Sequence, residues 1–292
     1  MTVEGIDPAA GRCLNCGADL NGAFCGACGQ RSVPANPTVM ELAGDAWQEL
    51  SGYDGRIAET FRNLLHPGRL TLDYVEGRRA RYLSPVRLYF TVSLIYFLLA
   101  AAAPQVSTRR DGTITGPVGM QIGITDTSRN GSNILTAEDR AAIVKELDNA
   151  PWLLRPMLKS VAADPDAFRA RLFTIMPRVF FGMLPVFAGI VALFYRGRRF
   201  PTALVYAVHV HAFAFLIFAV GEAAKFTRSA VVAGVFALAA TVVFTVYVPR
   251  SLKVVFGGSW TETNLKATAI GFVYSLAAVP AFLIILIWAS LT

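Results

Sequence analysis

ALVYAVHVHAFAFLIFAVG, residues 203–221, runs for nineteen positions without a Lys, Arg, Asp or Glu. A hydrocarbon core about 30 Å thick is crossed by roughly 20 helical residues, so this stretch reads as a membrane span. Four further apolar runs flank it: Val86–Ala103, Leu172–Tyr195, Ala230–Val248 and Ala267–Leu291. Too little polar chain remains to cover five such helices in water, which excludes a soluble core. The composition agrees, with 54% hydrophobic and 16% charged residues and a mean hydropathy of +0.47. The expected fold is an all-α polytopic membrane protein of about five transmembrane helices, with a small N-terminal module that carries all four cysteines.

The net charge of +7 is unevenly placed. Residues 1–85 hold 8 basic and 10 acidic groups, residues 104–171 hold 9 and 8, and residues 172–292 hold 9 and 2. An excess confined to the apolar region and its short loops reports membrane topology, not a nucleic-acid surface. Arg78, Arg79, Arg81 and Arg87 precede the first span, Arg196, Arg198 and Arg199 separate the second and third, and Arg250, Lys253 and Lys266 separate the fourth and fifth. The positive-inside rule then predicts a cytosolic N-terminus and an external C-terminus in a cytoplasmic (bacterial inner) membrane, with Lys225 and Arg228 as the exception. The first 30 residues lack the basic start and apolar core of a signal peptide.

All four cysteines fall in CLNCGADLNGAFCGACGQ, residues 13–30, as Cys13-x2-Cys16-x8-Cys25-x2-Cys28. Two CxxC knuckles bring four thiolates to one point, the tetrahedral shell that zinc favours. Gly17 and Gly29 follow the pairs and permit the tight turns. Four protein ligands leave no open position for substrate, so the zinc is expected to be structural. Residues 1–36 contain only Arg12 and Arg31 against Glu4, Asp7 and Asp19, with Phe24 as the lone aromatic. That is neither a phosphate footprint nor a stacking platform, so nucleic acid is not an expected partner.

The expected organisation is a ribbon over 1–36, an amphipathic, interfacial cytosolic segment over 37–85, a first span over 86–103, an external and partly helical segment over 104–171, and a four-helix membrane region over 172–292. In the second segment Thr38 is placed to cap a helix over Val39–Leu50. Pro67-Gly68 then breaks the chain, and Leu70, Tyr74 and Tyr82 alternate with arginines. Arg69, Arg78, Arg79, Arg81 and Arg87 are expected to meet anionic lipid head groups of the bilayer, with the tyrosines at the boundary. A docking surface for a protein partner on the cytosolic face is the sharper alternative. In the external segment Gln105–Asn133 reads as loop, Thr136 caps a helix over Ala137–Asn149, and Asp164-Pro165 caps the approach to the second span.

At these residues the chain resembles a bacterial family of membrane proteins, domain of unknown function 3667. The resemblance is carried by residues 13–30, by HPGRLTLDYVEGRRARYLSPVRLYFTVSLIYFLL (66–99), by MLPVFAGIVALFYRGRRFPTALVYAVHVHAF (183–213) and by VYVPRSLKVVFGGSW (246–260). It implies a ribbon-plus-membrane architecture and no particular activity. The Glu-His pair common after the basic loop in that family is Thr202-Ala203 here, so no site built on that pair carries over.

Arg178, His209, His211 and Glu222 are the polar candidates within the spans, because intramembrane ionisable groups are costly. Arg178 stands about two turns from the outer end of its span, where it either snorkels outward or faces a polar cavity. His209 and His211, two apart on a helix, point about 200° away from each other and cannot share an ion. His211 shares a face with Glu222, whereas His209 shares one with Tyr206 and Phe213, which suggests packing and a tyrosine hydrogen bond. No soluble catalytic pattern occurs, and the leading expectation is a non-enzymatic interaction or scaffold protein. A small solute, ion or proton transporter or channel using the intramembrane residues is second, and a membrane-lipid enzyme third.

Overall fold

The computed structural model describes residues 12–20, 24–30, 38, 56–103, 113–115, 121–123, 145, 147–149, 151–152 and 154–291. The helix expected over Val39–Leu50 lies outside these residues, as does most of that expected over Ala137–Asn149, of which Lys145 is helical and Leu147–Asn149 forms a 3-10 turn.

Five described helices are long and apolar enough to cross a membrane. They are α3 (Pro85–Ala102), α5 (Pro165–Phe194), α6 (Phe200–Ala224), α7 (Ala230–Phe256) and α8 (Trp260–Leu291). Each expected span is present; α3 matches its expected bounds to within one residue, and α5, α6, α7 and α8 extend further at one or both ends through turns that carry polar residues. The helix α5 runs unbroken through Pro177 and Pro185. Its start follows the sequence expectation, with the Ala167 backbone N–H donating to the Asp164 carboxylate at 2.9 Å. The most enclosed span is Phe200–Thr227, 61% of whose apolar window is buried, against 11% for Ala230–Phe256 and 17% for Trp260–Leu291. The last two accordingly expose Val235, Leu238, Val242, Phe272, Leu276 and Val279, a surface suited to lipid.

Between the first two spans, Thr113–Thr115 (β1) and Gln121–Gly123 (β2) pair antiparallel, Ile114 opposite Ile122. The Gly/Ser/Thr-rich composition had suggested loop there; β-branched Thr113, Ile114, Thr115 and Ile122 form a short hairpin instead. A short helix, α4 (Arg155–Ala163), precedes α5.

The chain forms two compact units. One comprises Met1–Leu94, Leu184–Ile217 and Ala240–Tyr274, and the other Ile95–Met183, Phe218–Ala239 and Ser275–Thr292. The first therefore collects the N-terminal parts of α3, α6 and α8 with the C-terminal parts of α5 and α7, the alternation expected of spans joined by short loops. All three basic clusters belong to this unit. In the second unit two arginines of α5 satisfy helix ends: Arg169 donates to the Ala100 carbonyl at 3.3 Å and Arg171 to the Ala289 carbonyl at 3.2 Å. Both carbonyls lie in last turns, where no intrahelical donor remains and a cation also favours the helix dipole.

Within the first unit, α1 (Ile57–Leu64) and α2 (Arg69–Val75) form a collar. Pro67-Gly68 breaks the chain between them as the sequence predicts. Gly68 has φ +77°, and a Cβ there would lie 2.8 Å from the Ser251 carbonyl oxygen, so the turn seats directly on α7. The Tyr247 hydroxyl donates to the Leu64 carbonyl at 2.8 Å, capping α1 from α7. Thr60, fully buried, accepts from the Leu83 N–H at 2.9 Å and ties α1 to the approach of α3.

Candidate metal centre and intramembrane polar residues

The four cysteine sulfurs lie within 4.8 Å of one another. Cys13 and Cys28 are 3.6 Å apart, as are Cys16 and Cys25. Disulfide sulfurs would be about 2.05 Å apart, whereas a tetrahedron with metal–sulfur bonds of about 2.3 Å has edges of about 3.8 Å. The spacing therefore suits a metal ion held by four thiolates.

The two knuckles are built alike. Gly17 N–H donates to the Cys13 carbonyl and Gly29 N–H to that of Cys25, each at 2.8 Å, while Cys13 N–H donates to Ala18 and Cys25 N–H to Gln30. Both glycines have positive φ, as their positions after each pair anticipate. Burial opposes ionisation of Cys28, but hydrogen bonds from the Asn15 side chain, the Gln30 backbone and the neighbouring thiols outweigh it and draw the thiol down to about 6. Thiolate is the form that binds metal.

The ribbon is fastened to the collar. Gln30, 7% exposed, donates from Nε2 to the Gly77 carbonyl at 2.8 Å and accepts at Oε1 from the Arg79 and Ala80 N–H groups at 3.1 and 3.0 Å. Arg81 donates to the Asn15 side-chain oxygen and carbonyl at 3.1 and 2.9 Å. Gly77 has φ +92°, and a Cβ there would fall 2.6 Å from the Leu14 side chain. The amide of Gln30, a residue without metal-ligand chemistry, carries much of this docking; the sequence signal was only its place at the end of the cysteine motif.

The collar arginines find partners inside the protein. Arg78 pairs with Asp73 at 2.5 Å and with Glu76, and Arg79 donates to the Tyr74 carbonyl at 3.2 Å while lying 5.1 Å over the Tyr74 ring. Arg87 is half-buried and Arg69 exposed. Leu70, Tyr74 and Tyr82, expected at a lipid boundary, are 2–3% exposed. These side chains are buried where the collar folds onto the spans, through Gly68 on Ser251, Tyr247 on Leu64 and Thr71 on His209. Asp73 also accepts from the Tyr82 hydroxyl at 2.5 Å. Burial works against the Asp73 carboxylate, but the Tyr82 hydroxyl and Arg78 guanidinium overcome it and hold the group below its usual value. Burial and the adjacent carboxylate push Tyr82 up to about 12.

Within the spans the histidines have separate environments. His209, 2% exposed, has Nδ1 2.9 Å from Thr71 Oγ1 of α2 and meets the Tyr74 ring edge-on. The tyrosine expected to partner it, Tyr206, bonds Ser251 at 2.8 Å instead. His209 Nε2 is buried without a hydrogen-bond partner among the described residues. His211 Nδ1 lies 2.8 Å from the Ala207 carbonyl, and its Nε2 lies 2.8 Å from the Tyr274 hydroxyl. A carbonyl only accepts, so Nδ1 carries a proton, and the Tyr274 hydroxyl, which can donate or accept, partners Nε2. Glu222 is engaged by Lys225 at 2.7 Å, one turn along. Arg178 is exposed on α5. The structure thus does not join His209, His211, Glu222 and Arg178 into one cluster by any hydrogen bond it records among them.

Residues 54–97 match the family described as Protein of unknown function (DUF3667). No curated protein and no solved structure matches the chain. The matched stretch contains α1, α2 and most of α3, so the similarity lies in the collar and the first span, and the four-cysteine cluster stands ahead of it.

Proposed function

We propose that this protein is a non-enzymatic interaction protein of the cytoplasmic membrane, whose zinc-bearing ribbon is held on the cytosolic face and offered to a protein partner. The observation that carries this reading is the Gln30 clamp on Gly77, Arg79 and Ala80. A ribbon fixed by a buried amide presents a defined face, and Phe24, 64% exposed, stands on it. Zinc is the metal the all-sulfur shell favours, with Cys13, Cys16, Cys25 and Cys28 as its ligands. The cytosolic side is assigned from the three basic clusters gathered in the ribbon's own unit.

A photo-crosslinking residue at Phe24 in native membranes tests the reading. A discrete adduct lost in the Gln30→Leu variant supports it; no adduct, together with solute flux in proteoliposomes, sinks it. The transport reading has one observation in its favour, the unpartnered Nε2 of His209. It requires flux that falls in His209→Phe without loss of folded protein. A C-terminal tag found on the same side as the ribbon overturns the topology.

A further inference from the structure

We propose that Trp152 and α4 form a second membrane contact, seated in the phospholipid head-group and acyl-chain boundary of the leaflet where α5 begins. This stands independently of the ribbon's role. The argument starts from length. The helix α5 has 30 residues, hence about 45 Å, which exceeds the hydrocarbon core by about 15 Å. Arg196, Arg198 and Arg199 directly follow its C-terminus, so the excess lies at the N-terminal end, beyond about Ile175. Arg178, exposed one turn further in, is within snorkelling reach of that boundary.

The segment before α5 folds back along it. The backbone is extended at Asp164, and one nitrogen of Arg171 donates both to Ser160 Oγ at 3.3 Å and to the Ala289 carbonyl at 3.2 Å. Ser160 of α4 is thereby brought alongside a residue two turns into α5, beside the end of α8. Continuing from Ser160 towards its own start, α4 descends to Leu154 and Trp152. Trp152 is 80% exposed and Leu154 37%. Lys159 is ion-paired with Asp148, so a cationic side chain of α4 is already neutralised. An exposed tryptophan at the level where a span enters the bilayer suits the interface, which solvates the apolar ring and the indole N–H together.

The test uses the whole protein in phosphatidylcholine vesicles carrying brominated acyl chains. The Trp152 signal is read as the difference between wild type and Trp152→Phe. Bromine near the head group should quench it roughly twofold more than bromine near the chain end. Leu154→Asp should cut the quenching roughly by half and shift emission to the red. Quenching by aqueous iodide with none by bromolipid overturns the proposal. Shielding from both, with crosslinks between two chains through this segment, overturns it in favour of a contact between copies. Because the Phe variant changes one exposed ring, its retained monodispersity serves as the folding control.

Discussion

Thr71 Oγ1 lies 2.9 Å from His209 Nδ1, a contact between the collar helix α2 and the most enclosed span across 138 residues of chain. It gives the intramembrane histidine a structural task, the registration of collar on bundle. With Tyr74 and Val205 packed together beside it, polar and apolar contacts fix the same junction.

Thr71→Val preserves shape and removes the hydroxyl, leaving His209 with both ring nitrogens unpartnered. We expect a loss of about 1–3 kcal/mol in detergent unfolding. A double-mutant cycle with His209→Phe should return a coupling of about 1 kcal/mol. Additive losses would mean that the hydrogen bond contributes nothing.

Gln30→Leu removes the clamp and leaves the Gly77 carbonyl and two N–H groups without their partner. The ribbon should become a protease target while α3 and α5 to α8 remain protected. Gly77→Ala should reach the same state from the other side, by a clash with Leu14 and by its positive φ. Unchanged proteolysis in both variants would show that the attachment lies elsewhere.

Metal content should be one ion per chain, lost in Cys13→Ser and Cys25→Ser. Small metal modules fold with their metal, so chelation should open residues 12–30 to protease without releasing the spans from the membrane. Elemental analysis and limited proteolysis read the two effects separately.

Asp73 and Tyr82 make the collar sensitive at both ends of the pH scale. The Asp73 value is depressed in the fold, so its contribution is present above the ordinary carboxylate value of 3.8 and is lost as pH falls below it. The Tyr82 value is raised, so its contribution is complete below 10 and disappears as pH rises towards about 12. Tyr82→Phe should flatten the alkaline limb of stability against pH, and Asp73→Asn both limbs. An unchanged alkaline limb in Tyr82→Phe would assign it to another group.

Five spans, the basic clusters, the Asp164 cap, the Pro67-Gly68 break and the cysteine shell are all written locally. Each depends on residues within a few turns of one another, where hydrophobic runs and fixed spacings act through helix length and ligand geometry. Tertiary structure decided the rest. Arg78, Arg79 and Arg81 stand in one basic run in the sequence, and only folding supplied Asp73, the Tyr74 carbonyl and Asn15 as their partners. Helix periodicity pairs His209 with Tyr206, whereas in the fold α2 brings Thr71 to His209 and Tyr206 bonds Ser251. A buried polar group takes whichever partner the packing of distant segments brings within hydrogen-bond reach, and no local spacing encodes that choice.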